Sequence, residues 1–181
     1  EAARDVALRR AEAASGLDPA AQGQRWLSLF RRELELGNLT GAEQALEHAL
    51  ALQPDSTATL HSLVELHQRT GNFAGQAAAL GRLASHETEL DEAVAALRQA
   101  AQITQDALGD VEGARRLLLA ALSRVETAAA ATTQSPDEHA AVQRALCTVL
   151  LPLFDLAHKE GDTVGAMSYG RRAIETEAVP A

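Results

Sequence analysis

Histidine, cysteine and acidic side chains are the groups in this sequence best suited to chemistry. The stretch HETELDE, residues 86–92, brings together one histidine and four carboxylates, and such a group could bind a hard cation. Acidic residues near the start of a helix have a simpler explanation, because the positive end of the helix dipole stabilises them. We therefore predict no metal site in this stretch and no cofactor for the chain.

The remaining reactive residues are dispersed along the sequence. His61 and His67 are six residues apart, which places them on different helix faces and not on the i, i+4 stripe of a helical metal site. Cys147 is the only cysteine, so the chain has neither an internal disulfide nor a multi-cysteine zinc site. The segment GDTVGAMSYG, residues 161–170, lacks the Lys-Ser/Thr pair of a phosphate-binding loop. We predict that the chain is not an enzyme.

The charge balance restricts the class of partner. The chain has 16 Lys and Arg against 25 Asp and Glu, and its net charge of -9 argues against nucleic acid or an anionic membrane as the main partner. No apolar run approaches the roughly 20 residues of a membrane span, and the N-terminus EAARDVALRR has no signal-peptide core. We therefore predict no membrane insertion and expect a cytoplasmic protein. The first residue is not Met, which favours a piece of a longer chain, and the single Lys beside many Arg is typical of a GC-rich bacterial gene.

Helices are the elements that must position any site. Aromatic residues make up 3% of the chain, Ala and Leu dominate, and strand-favouring runs are absent. Four Gly-Asn or Gly-Asp pairs, beginning at residues 37, 71, 109 and 161, follow apolar periodic segments. Glycine can end a helix in the left-handed conformation, and the Asn or Asp after it can cap the next helix. We predict an all-α chain with helix-turn-helix joints at these four positions.

Two of these joints belong to near copies, GNLTGAEQAL at 37–46 and GNFAGQAAAL at 71–80, which are 34 residues apart. The period and the surrounding residues resemble the tetratricopeptide repeat (TPR) family, whose unit is 34 residues. Phe30 and Glu33 depart from the family signature in the first full unit, and Gln76 and Thr88 depart from it in the second. The residues that match are Trp26, Leu29, Gly37, Ala42, Leu46, Ala49 and Pro54 in the first full unit, Leu63, Gly71, Asn72, Phe73 and Leu80 in the second, and Ala114, Leu118, Ala121, Leu150, Leu153, Ala166 and Ala173 in two later units.

The resemblance implies a right-handed superhelix, or α-solenoid, of antiparallel helix pairs, with another helical solenoid or an irregular bundle as the alternative. It covers nearly the whole chain as a single domain, with units at about 1–22 (partial), 23–56, 57–94, 95–135 and 136–181. The joints are 34, 38 and 52 residues apart in order. The additions of four and 18 residues are about one and five helical turns, so they predict longer helices. We expect Ser135 to cap the last long helix, Pro136 to begin it and Pro152 to kink it.

A further implication of the resemblance is a groove, lined mainly by the first helix of each pair, that holds a segment of another protein. Some members of the family clamp a partner's C-terminal carboxylate with Lys and Asn, but Leu27, Arg31 and Ala58 stand where such a clamp needs those residues. The implied function is a non-catalytic protein-binding scaffold, and the alternative is a regulatory or substrate-presenting part of a larger enzyme or transcription regulator. The implied lining is Gln24, Leu27, Arg31, Glu35, His61, Glu65, Gln68, Arg69, Gln99, Asp106, Leu151, Asp155 and His158.

The segment VETAAAATTQSPDEHAAVQRAL, residues 125–146, predicts the tip of a long hairpin. We expect Ala128–Ala131 to face Ala140, Ala141 and Ala145 across it. An Ala-lined tip buries little apolar area, so it is marginal by itself. Two alternatives follow: the arms pack only on each other, or the tip makes an additional contact with a partner, with a second copy of the chain or with a further part of it.

Overall fold

A computed structural model of the chain describes residues 18–131 and 136–177. Over those two ranges the structure contains eight α-helices and no strand, which confirms the predicted all-α class. The predicted partial helix before residue 18 and the expected cap at Ser135 lie outside the described residues. The helices are α1 (Pro19–Glu35), α2 (Leu39–Leu52), α3 (Thr57–Thr70), α4 (Phe73–His86), α5 (Leu90–Asp106), α6 (Val111–Ala131), α7 (Pro136–Lys159) and α8 (Thr163–Glu177).

Consecutive helices pack as pairs: α1 with α2, α3 with α4, α5 with α6 and α7 with α8. The chain forms two compact units, of which unit 1 ends at His86 and contains α1 to α4, and unit 2 begins at Glu87 and contains α5 to α8. The predicted repeat boundaries at 22/23 and 94/95 fall inside α1 and α5, so each of these helices begins earlier than its predicted unit.

The four joints have a common backbone geometry. Their glycines have positive φ, at 72°, 67°, 68° and 76° for Gly37, Gly71, Gly109 and Gly161, and no other described residue does. Only glycine adopts this conformation without steric cost, which explains its recurrence at the joints. The N–H of the next residue then donates to a carbonyl of the helix that is ending, at 2.9 or 3.0 Å: Asn38 to Glu33, Asn72 to His67, Asp110 to Thr104 and Asp162 to Ala157.

The same Asn or Asp caps the helix that follows. Its side-chain oxygen accepts the N–H of a second glycine three residues later, at 3.2 Å for Gly41, 2.9 Å for Gly75, 2.7 Å for Gly113 and 2.9 Å for Gly165. A Cβ on any of these glycines would lie less than 3.0 Å from the capping side chain. The close approach of the capping side chain therefore explains why glycine recurs at the second position of each joint. The predicted capping by Asn and Asp is present at all four joints.

The core of unit 1 explains why two residues depart from the TPR signature. Phe30 is fully buried, and its ring fills the space between α1 and its neighbours together with Leu29 and Leu46. The Glu33 carboxylate is 1% exposed and accepts a hydrogen bond from Asn38 Nδ2 at 2.7 Å, so it links the end of α1 to the residue that caps α2. A buried carboxylate needs such a donor, because an unpaired buried charge is costly.

Helix α7 supplies the largest side chains of the core of unit 2. Val149, Leu150 and Leu153 are buried, and α7 packs against α5, α6 and α8. By length and composition alone the segment Asp137–Lys159 could cross a membrane, with a mean hydropathy of 1.4 and 33% of its most apolar window buried. The absence of membrane insertion therefore stays a prediction. The helix continues through Pro152, where the predicted kink also stays a prediction.

Candidate functional site

Unit 1 exposes a set of polar side chains on its two first helices. We call this set the unit 1 surface. It is exposed because the apolar residues of α1 and α3, at a helical period, turn the opposite faces toward the core. Within the set, only Glu65 is half-buried. The unit 1 surface consists of Gln24, Arg31 and Glu35 on α1 and His61, Glu65, Gln68 and Arg69 on α3.

Leu27 does not belong to the unit 1 surface, and the prediction that it lines the groove is wrong. Its side chain is 4% exposed and packs in the same apolar cluster as Phe30 and Leu34. Leu27 and Leu34 are seven residues apart, so they lie on one face of α1, and that face is turned into the core. The burial of its apolar area stabilises this orientation of the Leu27 side chain.

Two ion pairs involve the unit 1 surface. Glu65 Oε1 lies 3.5 Å from Arg69 Nη2 within α3, and Glu35 Oε2 lies 3.0 Å from Arg32 Nη1 within α1. Exposed pairs of this kind contribute about 0–1 kcal/mol to stability, so a partner can replace them at little cost. Arg31 has no ion-pair partner among the described residues. The surface can therefore bind charged groups of either sign.

Unit 2 exposes its predicted groove residues as well. Gln99 and Asp106 are exposed on α5, and Asp155 and His158 are exposed on α7. The His158 ring lies parallel to Phe154 one turn earlier, with ring centroids 6.0 Å apart and an interplanar angle of 2°. The apolar side chain of Leu151 is 52% exposed on the same helix. Every predicted groove residue of this unit is thus exposed.

A cleft between α5 and α7 is a feature that the sequence analysis missed. Its volume is about 260 Å³, and a second cavity of about 160 Å³ shares Arg98 with it. Arg98 and Arg144, which face this cleft from two helices, are 46 positions apart in the sequence, so only packing brings them together. The larger cleft is lined by Asp91, Val94, Ala95, Arg98, Arg144, Ala145 and Thr148, and the smaller cavity by Arg98, Ala101, Gln102, Gln105, Leu118 and Pro152.

The acidic stretch at 86–92 is divided between two local environments. His86 Nε2 lies 3.4 Å from Asp55 Oδ1, and Arg82 Nη2 lies 3.6 Å from the same oxygen. Asp91 and Glu92 occupy the first turn of α5, where the helix dipole favours a negative charge. In the part of the chain that the structure describes, no three His, Cys, Asp or Glu side chains are grouped so that they could hold a metal ion.

Two solved structures have a similar fold. MamA matches with a TM-score of 0.51 and 17% sequence identity, over 86% of this chain and 78% of that one. A Podosopora anserina protein described as a kinesin light chain with nearly identical TPR-like repeats matches with a TM-score of 0.53 and 19% identity, over 98% of this chain and 87% of that one. No family model matches the sequence, and no curated protein matches it. At these identities the likeness concerns the fold alone, and in its fold the chain is a TPR-like repeat protein, an α-solenoid of helix pairs.

Proposed function

We propose that the chain is a non-catalytic scaffold that holds a segment of a partner protein in a groove formed by its first helices. The observation that carries this proposal is the unit 1 surface, where α1 and α3 each bury one face and expose hydrogen-bonding and charged side chains on another. Such side chains give specificity to a bound segment without a deep pocket. TPR-like folds serve widely as binding scaffolds, which favours the same function.

The chemistry of the unit 1 surface suits a peptide with polar side chains and an accessible backbone. Gln24 and Gln68 each offer both a donor and an acceptor, so they can bond to the N–H and C=O groups of an extended chain. Arg31 can bind a carboxylate in a bidentate manner. Both ends of the Glu65–Arg69 pair are about half exposed, with side-chain exposures of 46% and 60%, so either residue can exchange its partner.

The proposal is tested by selecting a phage-displayed library of random peptides for binding to the full chain, so that a partner segment of any sequence can be found. For peptides bound at the unit 1 surface, the double variant Arg31→Glu, Arg69→Glu should reduce affinity at least tenfold at low salt. Its free energy of unfolding should change by only about 0.5 kcal/mol, because both side chains are exposed. Isothermal titration and urea unfolding measure the two quantities.

The matched control is Arg116→Glu, Arg171→Glu, which changes the net charge equally but lies on the second helices α6 and α8. This control should leave affinity unchanged. If both double variants weaken binding to the same degree, the effect is one of total charge and the unit 1 surface is not the site. If the library gives no binder at all, the scaffold proposal itself is rejected.

A further inference from the structure

Arg98 and Arg144 line the same cleft, and neither has an ion-pair partner among the described residues. Asp91 lines the cleft too, but it lies beyond ion-pair distance of both. Six other arginines form an ion pair with a described carboxylate: Arg32, Arg69, Arg82, Arg115, Arg116 and Arg172. The cleft therefore holds two cationic groups that the fold itself does not neutralise.

We propose that the cleft between α5 and α7 binds an acidic peptide segment, with a side-chain carboxylate held between Arg98 and Arg144. This inference rests on the proposed scaffold function and names the chemistry of its partner. The planar guanidinium group binds a carboxylate through two parallel hydrogen bonds, which gives both affinity and orientation. Val94, Ala95 and Ala145 line the cleft beside the two arginines and can contact the apolar parts of a bound segment.

The length of the site fits an extended peptide. The two cavities share Arg98 and together follow α5 from Asp91 to Gln105. These 14 helical steps measure about 21 Å at 1.5 Å per residue. An extended chain spans this distance in about six residues. Gln102 and Gln105 lie beyond Arg98 along this path, where their amide groups can bond to the backbone of the same peptide.

Pro152 interrupts the backbone hydrogen bonds of α7 beside the site. Proline has no N–H, so the carbonyl of Thr148, four residues earlier in α7, receives no hydrogen bond from that position of the helix. Thr148 lines the larger cleft and Pro152 lines the smaller one. The Thr148 hydroxyl donates to the carbonyl of Ala145 at 2.8 Å.

An acidic peptide fits this site better than a nucleic acid does. The chain carries a net charge of -9, which repels a polyphosphate over most of the surface. Two arginines can neutralise one or two carboxylates, whereas a nucleic acid needs a longer basic track. Asp91 at one end of the cleft would also repel a second phosphate. The site therefore selects a short segment with few charges at fixed positions.

A fluorescein-labelled hexapeptide of alternating glutamate and alanine is the probe, and the same labelled peptide with glutamine in place of glutamate is the control without side-chain carboxylates. Fluorescence polarisation at low and at physiological salt measures the dissociation constant with the full chain. The acidic peptide should bind at least tenfold more tightly than the glutamine peptide. Arg98→Gln and Arg144→Gln should each weaken it about tenfold, because each removes a charge-assisted pair. Arg171→Gln, on exposed α8, should have no effect.

Two further variants keep the test independent of folding. Arg98→Lys retains the charge but loses the planar fork, so it should bind with intermediate affinity. Asp91→Asn should strengthen binding about two- to threefold, and a folding defect could not produce this gain. The proposal is overturned if the acidic peptide does not bind, if Arg171→Gln weakens it as much as Arg98→Gln, or if a single-stranded oligonucleotide binds more tightly with the same dependence on Arg98.

The random peptide library separates failure of this inference from failure of the scaffold proposal. Library peptides enriched in Asp and Glu that lose affinity with Arg98→Gln support both proposals. Library peptides that bind without acidic residues and do not respond to Arg98→Gln support the scaffold but reject the acidic site.

Discussion

The two units have the same joint geometry, but the first helices of each unit present different surfaces. The joints at Gly37 and Gly71 in unit 1 and at Gly109 and Gly161 in unit 2 have the same left-handed glycine and the same side-chain cap. The first helices of unit 1 present polar side chains with ion pairs within each helix, whereas those of unit 2 line an open cleft with two arginines that have no ion-pair partner among the described residues. The glycine and the cap are thus the same at all four joints, whereas the exposed side chains of the first helices differ between the units.

The joint at Gly109 shows how far the backbone geometry tolerates change. Asp110 N–H donates to the carbonyl of Thr104, six residues earlier, while the corresponding bond at each of the other three joints reaches back five. One additional residue is therefore accommodated at the end of α5 without loss of the glycine or the cap. The longer helices of unit 2, with 21 residues in α6 and 24 in α7, show the same tolerance on a larger scale.

The largest expected effect comes from Gly41→Ala in unit 1. A Cβ at this position would lie 2.7 Å from Glu33 Cδ as well as against the Asn38 cap, and the Glu33 carboxylate is buried and cannot move away freely. We expect a loss of about 1–3 kcal/mol in the free energy of unfolding, as for other overpacked sites. Chemical denaturation measures it.

Gly165→Ala in unit 2 is the matched comparison for Gly41→Ala. Its Cβ would meet only the exposed Asp162 cap, which can rotate into solvent. The gain of about 0.5–1 kcal/mol from replacing a helical glycine should offset much of the clash. Equal losses in the free energy of unfolding for Gly41→Ala and Gly165→Ala would show that the buried Glu33 carboxylate does not add to the cost of a Cβ at Gly41.

A smaller effect is expected at the first glycine of a joint, and it should be the same in both units. Gly71→Ala and Gly161→Ala place a Cβ at φ values of 67° and 76°, where nothing crowds it but the backbone is strained. Each should lose about 1–2 kcal/mol. Gly81→Ala is the control, because it lies inside α4 with open space around it and should be neutral or stabilising. A cost at Gly71 that is absent at Gly161 would contradict the shared joint geometry.

The smallest effect is expected at the end of α6 in unit 2, where the sequence predicts a hairpin tip. Ala129, Ala130 and Ala131 are exposed and Ala128 is half-buried. Replacing each of the three exposed residues by Glu should change stability by less than about 0.5 kcal/mol, and Ala128→Glu should cost more. Analytical ultracentrifugation of the same variants tests self-association through the tip. If no variant alters association at any concentration, the hairpin is a spacer and the contact proposal fails.

The joints could be predicted from the sequence in full, whereas the candidate site could be predicted only in part. A Gly-Asn or Gly-Asp pair after an apolar periodic segment specifies the end of one helix and the cap of the next through bonds that span only a few residues. The exposure of Arg31, Gln68 and Asp155 follows from helix periodicity in the same local way. The prediction for Leu27 was wrong, because its place in the repeat indicates a groove position while its apolar side chain is buried in the core.

The sequence by itself determined the helices, their joints and the exposed polar side chains, because each of these depends on residues within a few turns of one another. Tertiary structure alone decided which side chains from separate helices meet. The burial of Glu33 beside Asn38 depends on how α1 and α2 close against each other. Arg98 and Arg144 line one cleft because α5 packs against α7. The two residues are 46 positions apart, so no local interaction along the chain could bring them together.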